Sequence, residues 1–282
     1  MPLLLACTDP GIGEETSTSD QSVTSENKIA MNKIAMNKIA MNQLAAGDLL
    51  ATSEGRDVLE YLVSCSLSEG TTLVATVGDE TYEFEGSLGL AKNWTERRLS
   101  RSEQRWVSSC MLARVNAFEL SLLISLRGPT HALITSAEEK AQFALEEGAF
   151  YGDIFTPENE PIKAFACRGK DSAIDGSQGD LGQRVCTEQD AEVTTKTRCG
   201  FTYTGDCDDF TDLRRYHHGD DADDDRDSNS NSDHRVLAPH ACEDFTWNGY
   251  YRECHEQVSD AAGRWPRRSE WDEVITVFVQ NN

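Results

Sequence analysis

The sequence predicts an α+β domain stapled by disulfides, with a short pentapeptide-type repeat at its N-terminal end. Three observations carry this. Helix-start signals and alternating strand patterns occur side by side between Gly47 and about Phe155. Nine cysteines lie in 282 residues with no CxxC pair among them, so disulfides account for them better than zinc or redox motifs do. Asn-Lys-Ile-Ala-Met recurs at 27–31, 32–36 and 37–41.

The repeat, with its degraded copy Asn42-Gln43-Leu44-Ala45-Ala46, spans 27–46. A period of five fits neither strand nor helix: in a helix each copy turns by about 140°, so Ile29, Ile34 and Ile39 face different ways. Two shapes stay open. One is a β-coil with one repeat per side, which is too short here to bury a core alone. The other is an amphiphilic helix, favoured by the Ala, Met, Lys and Gln content.

Residues 47–156 form the expected α+β core. Val58, Leu59, Leu62 and Val63 suit a helix over 56–64 that ends near Cys65. Leu73–Val77 and Thr81–Glu85 flank Gly78-Asp79, a favoured hairpin turn, and place Tyr82 and Phe84 on one face. Ser100 and Glu103 make a capping box for a helix carrying Trp106, Val107, Cys110 and Met111. Phe118, Leu120, Leu122, Ile124 and Leu126 alternate as a strand that Gly128-Pro129 closes. A second box, Ser136 with Glu139, starts a helix that Gly148 is expected to end.

Residues 157–282 form a cysteine-rich half that wraps on the first, with Arg198–Tyr203 and Val274–Val279 as its best strands. Seven Asp fall within the fourteen residues 220–233, a composition that predicts a solvated surface insertion.

Charge narrows the partners. The formal net charge is −23, from 49 acidic and 26 basic residues, which repels nucleic acid and anionic headgroups. Abundant cysteine points to an oxidising compartment and therefore to export. Leu4-Leu5-Ala6-Cys7 resembles the lipobox at which bacterial signal peptides are cut before a lipid-bearing cysteine. It implies 1–7 as a truncated lipoprotein signal whose true start lies upstream, lipidation of Cys7, and 8–26 as a flexible Ser/Thr/Glu-rich tether. The membrane is then met through the lipid alone, at the outer membrane or extracellular face of the cell envelope.

Removing Cys7 leaves an even set: Cys65, Cys110, Cys167, Cys186, Cys199, Cys207, Cys242 and Cys254. Cys65–Cys110 is the expected pair of the first half. The other six allow fifteen connectivities, of which Cys186–Cys199, Cys207–Cys242 and Cys167–Cys254 are the working set.

Catalytic chemistry has thin support. GxSxG and phosphate-cradling glycine loops are absent from the sequence. Cys110 with His131 would make a nucleophile pair only if Cys110 were free. Glu138, Glu139, Glu146 and Glu147 offer paired carboxylates, but a capped helix places them on a solvated face. Asp221, Asp223, Asp225 and Asp227 alternate as calcium ligands do, yet Arg226 stands where an EF-hand loop needs Gly, and its twelfth position is Ser232. His217, His218, His234, His240 and His255 lack helical ligand spacing. No cofactor is therefore expected, with calcium at the acidic insertion as the weak exception.

Several phrases resemble those of uncharacterised cysteine-rich secreted lipoproteins of myxobacteria that carry short Asn-containing tandem repeats. They are Tyr61-Leu62-Val63-Ser64-Cys65, Gly89-Leu90-Ala91, Arg105-Trp106-Val107-Ser108-Ser109-Cys110 and Ser125-Leu126-Arg127-Gly128. Glu147-Gly148-Ala149-Phe150-Tyr151-Gly152, Ala166-Cys167-Arg168-Gly169 and Cys199-Gly200-Phe201-Thr202-Tyr203 continue the likeness. The resemblance implies an exported protein and supplies no activity; that set usually carries Leu-Asn-Gly units where this chain has Asn-Lys-Ile-Ala-Met.

The expected function is an envelope-anchored structural or binding protein whose protein or glycan ligand the sequence does not name, and a flat aromatic patch at Trp247, Tyr250 and Tyr251 would favour binding. The alternative is a secreted hydrolase whose site assembles only in three dimensions. Replacing Cys7 by Ser should move the protein from the membrane to the soluble fraction, because stable anchoring needs two lipid signals of which the thioether is one. Unchanged membrane association of that variant on fractionation removes the lipid anchor.

Overall fold

The computed structural model describes residues 24–26, 49–116, 122–157, 160–172, 181, 184, 200–208, 240–256 and 270–280. Cys7, the repeat, the Cys186–Cys199 pair and the acidic insertion, with Asp221, Asp223, Asp225 and Asp227, lie outside the described residues. Mixed helices and sheets bear out the α+β expectation.

Helix α1, Ser53–Ser66, starts where the Thr52 side chain accepts the Gly55 amide at 3.0 Å, giving a partner to one of the first-turn donors that no helix can satisfy itself. Val58, Leu59, Leu62 and Val63 make its buried stripe. Its far end is closed by the Gly89-Leu90-Ala91 phrase: the carbonyls of Ser64, Cys65, Ser66 and Leu67 accept the amides of Leu88, Leu90, Ala91 and Gly89. Between helix and cap runs the hairpin of β2, Thr72–Val77, and β3, Glu80–Glu85. It turns at Gly78, with Phe84 buried and Tyr82 packed beside it.

Helix α2, Arg101–Ala113, carries the full capping box of Ser100 and Glu103. Every residue from Val107 to Ala113 is buried. Two of them are serines with outside work: the Ser108 hydroxyl takes the Ile154 amide at 3.0 Å, and the Ser109 hydroxyl donates to the Glu273 carbonyl at 2.5 Å. Cys65–Cys110 ties α1 to α2 as expected, with Cα atoms 6.0 Å apart.

The sheet that α2 packs on has six strands. These are β1, Thr24–Glu26; β4, Leu123–Arg127; β5, Leu145–Asp153; β6, Lys163–Arg168; β7, Thr202–Asp206; and β11, Ile275–Val279. Their order is β1-β4-β11-β5-β6-β7, antiparallel except for the parallel β6–β7 pair. Thr24–Glu26, expected as the end of a flexible tether, is therefore paired backbone. A second sheet of β8, Cys242–Phe245, β9, Tyr251–His255, and β10, Glu270–Trp271, lies on the other face.

Alternation along the large sheet sorts side chains into two cores. Ile124, Leu126, Phe150, Ala166, Ile275 and Val277 belong with the helices. Ala149, Tyr151, Phe165, Cys167 and Val274 belong with the small sheet, where Tyr151, Phe165 and Trp271 lie ring to ring. The result is three layers: helices, six-stranded sheet, three-stranded sheet.

One element departs from expectation. Helix α3 spans only Ala137–Gln142 and ends at Phe143, and Gly148 sits inside β5 rather than beyond a helix. Ser136 does cap it, accepting the Glu139 amide at 3.1 Å. Tertiary burial overrides propensity after one and a half turns: Phe143 is fully buried, and the chain must feed β5 between β11 and β6.

Disulfide pairing also departs from expectation. The structure joins Cys167–Cys207 and Cys242–Cys254 in place of Cys207–Cys242 and Cys167–Cys254. Parallel β6 and β7 bring Cys167 beside Cys207, and antiparallel β8 and β9 set Cys242 directly opposite Cys254.

Gly148 is required for close approach, since a Cβ there collides with the Cys167 carbonyl and lies 3.3 Å from a Leu181 methyl. Gly148→Ala should destabilise the fold by about 1–3 kcal/mol, lowering Tm by ~2–4 °C per kcal/mol in a chain of this size. Thermal unfolding followed by circular dichroism measures it.

Candidate functional site

Neighbouring glutamates on β5 point to opposite faces. The pairing of β11 with β5 skips one residue, Val277 lying opposite Gly148 and Phe278 opposite Glu146. This bulge leaves Glu147 as the extra residue. Both acids are buried, Glu146 at 0% and Glu147 at 2% exposure, and Glu139 on α3 is buried at 5%. The expected solvated helix face is thus corrected: the second pair of glutamates lies on a strand, and burial has to be compensated for each.

Glu147 is compensated by Arg184, whose Nη1 donates to its Oε2 deep in the helix-side core. Arg184 also donates to the carbonyls of Ala113 and, at 3.1 Å, Val115, so it places a cation at the buried carbonyl end of α2. Burial lowers the Arg184 pKa while Glu147 holds it up. Removing one member of such a pair typically costs about 3–5 kcal/mol because the other is left charged and dry.

Glu146 faces the small sheet. Its Oε1 accepts the Tyr251 hydroxyl at 2.8 Å, and its Oε2 is buried outside any well-formed hydrogen bond. Burial pushes its pKa up to about 7, with the Tyr251 hydrogen bond pulling the other way. Nearby stands Arg127, pushed down to about 10 by burial and held up by the charges of Glu139 and Glu146. Its Nη2 donates to the Phe143 carbonyl at 2.5 Å, its Nε to Ser125 at 3.3 Å, and its plane stacks 3.5 Å from the Phe278 ring centre.

The β8–β9 turn closes over this cluster. Gly249 N–H donates to the Thr246 carbonyl at 2.9 Å, and Gly249 at φ 86° supplies the left-handed position that a three-residue hairpin loop needs. A Cβ at Gly249 would lie 2.9 Å from Arg127 Nη1. The turn thereby lifts Trp247 into solvent at 91% exposure, with the Lys140 ammonium 5.8 Å from its ring centre. Tyr250 is half-buried, and Tyr251 is wholly buried against Phe245. Of the aromatic patch read from the sequence, the structure displays Trp247 and turns Tyr251 inward.

The remaining candidates are placed as follows. Cys110 is bonded to Cys65, so it is no nucleophile for His131, which lies in a short 3-10 turn at His131–Leu133. His255 is buried and its Nε2 meets Glu243 Oε1 at 3.0 Å. His217, His218 and His234 lie outside the described residues. Among the described residues, metal-ligand spacing is found at the sulfurs of Cys167, Cys207 and Cys242, all engaged in disulfides. Also among the described residues, no helix is long and apolar enough to cross a membrane.

Sequence reasoning missed the Glu146–Tyr251 and Glu147–Arg184 contacts. Compared with known protein families, curated proteins and solved structures, the chain matches none.

Glu146 generates a pH dependence of defined sign. Its folded pKa lies above its unfolded value, so the native state keeps the proton longer; that stabilisation is whole below about pH 4.5 and is lost as pH rises toward 7. The loss is on the order of 3 kcal/mol. Glu146→Gln keeps the acceptor for Tyr251 and removes the charge. Urea unfolding at pH 5 and pH 8 should show the variant gaining stability relative to the native protein at the higher pH.

Proposed function

We propose that the chain is an exported binding module carried on the cell envelope by a lipid on Cys7, with the Trp247 hairpin as its contact surface for a protein or glycan ligand. The carrying observation is Trp247 itself, a 91% exposed indole on a turn braced by Cys242–Cys254 beneath it. Leaving that much apolar surface in water is unfavourable for the isolated domain. Bracing it on a hairpin sets the ring before contact, which lowers the entropy cost of binding.

Three disulfide pairs support an oxidising location, as do the lipobox-like Leu4-Leu5-Ala6-Cys7 and the resemblance to secreted myxobacterial lipoproteins. The hydrolase reading needs carboxyls that a substrate can reach, whereas Glu139, Glu146 and Glu147 are all buried.

The test uses soluble cell-wall glycan fragments and envelope protein extracts of the host, titrated by calorimetry against native protein and Trp247→Ala. Binding by the native protein that falls at least about tenfold in the variant, a loss of ~1.4 kcal/mol, with Tm unchanged, is the expected result. Equal binding by both removes the hairpin from the contact surface.

A further inference from the structure

Four of the cysteines form one group. Cys167 lies in β6, one residue before its end, and Cys207 follows β7; the Cys207 amide donates to the Arg168 carbonyl at 2.8 Å, and the Cys242 amide donates to the Cys207 carbonyl at 2.9 Å. Cys242 then stands in register with Cys254 across β8 and β9. The four residues thus lie on four chain segments set side by side, and none exceeds 1% exposure.

Their bonds run Cys167–Cys207 within the large sheet and Cys242–Cys254 within the small one. Between the two bonds, Cys167 Sγ and Cys242 Sγ are 3.5 Å apart, and the sulfurs of Cys167, Cys207 and Cys242 all lie within 4.8 Å of one another. A thiolate exchanges with a disulfide by direct attack on sulfur. At this separation the attacking atom is already in contact with its target, so exchange inside the group needs no chain movement to bring the partners together.

We propose that these four cysteines are a single redox site, in which a dithiol reductant opens Cys242–Cys254 and the remaining bond then moves to Cys167–Cys242. The entry point is the small sheet, which holds the Cys242–Cys254 bond. The first thiolate of the dithiol attacks Cys254 Sγ; the bond to Cys242 breaks and its electron pair leaves on Cys242. The second thiolate of the dithiol resolves the mixed disulfide, closing the oxidised dithiol and releasing Cys254, which takes up a proton. Cys242 thiolate attacks Cys167 Sγ; Cys167–Cys242 forms, Cys167–Cys207 breaks, and Cys207 leaves as a thiolate that is protonated in turn. One dithiol is oxidised, one protein disulfide is reduced, and thiols remain at Cys207 and Cys254. The exchange replaces two bonds that each stay within a sheet by one that joins the large sheet to the small one.

The test treats the full oxidised chain with one equivalent of dithiothreitol, quenches in acid, blocks free thiols with N-ethylmaleimide at low pH, and maps the linked peptides by mass spectrometry. The expected singly reduced species has Cys167 joined to Cys242, label on Cys207 and Cys254, and Cys65–Cys110 intact. A singly reduced species that retains Cys167–Cys207 and carries label on Cys242 and Cys254 overturns the proposal. The double variant Cys207→Ser/Cys254→Ser gives a second measurement: on air oxidation of the reduced protein it should form Cys167–Cys242, and persistent free thiols at both positions equally overturn it. Should the variant not fold, the mapping on the native chain still decides.

Discussion

Strand β5 is covered on both faces, and much of the rest follows from that constraint. A strand with one wet face can place its polar residues in solvent; β5 has no such face between Glu146 and Gly152. The helices close one side through Phe150, and the small sheet closes the other through Ala149 and Tyr151. Every polar group on it therefore needs a partner inside the protein. The Tyr151 hydroxyl meets Thr204 at 3.0 Å and donates to the His255 carbonyl at 2.8 Å. Glu147 receives Arg184, and Glu146 receives Tyr251.

These partners connect the layers as well as satisfying the strand. Arg184 links β5 to the end of α2, and Tyr251 links it to β9. Arg105 works along the other edge, 4.3 Å from the Trp271 ring centre and 3.4 Å from Glu273. Buried polar contacts of this kind add modest net stability but penalise any register in which they are broken. A slip of β5 by one residue would strand both glutamates.

Local signals were legible in the sequence where local physics decides the outcome. The Ser100–Glu103 box, the Gly78-Asp79 turn and the stripe of α1 each involve groups a few residues apart, and each stands as expected. The Ser136 signal was also real, but it fixes only where a helix starts. Its length depends on Phe143 and on the place of β5 between two distant strands. Gly148 reads as a helix stop because the carbonyl it must make room for belongs to Cys167, nineteen residues away. A cue was present in Ala149-Phe150-Tyr151, whose bulky adjacent aromatics suit a strand buried on both faces better than a solvated helix. The bulge at Glu147 has no local signature. Among the described residues, disulfide pairing was legible only for Cys65–Cys110, because the other pairs there depend on which strands become neighbours.

Strand β11 sits between β4 and β5 although more than 120 residues separate it from either. With it missing, β4 and β5 have no bridge and the helix-side core lacks Ile275 and Val277. Such long-range closure makes assembly slow and late. The polypeptide therefore cannot complete its core until synthesis has passed residue 279, so a chain cut short before β11 holds β4 and β5 without the strand that joins them.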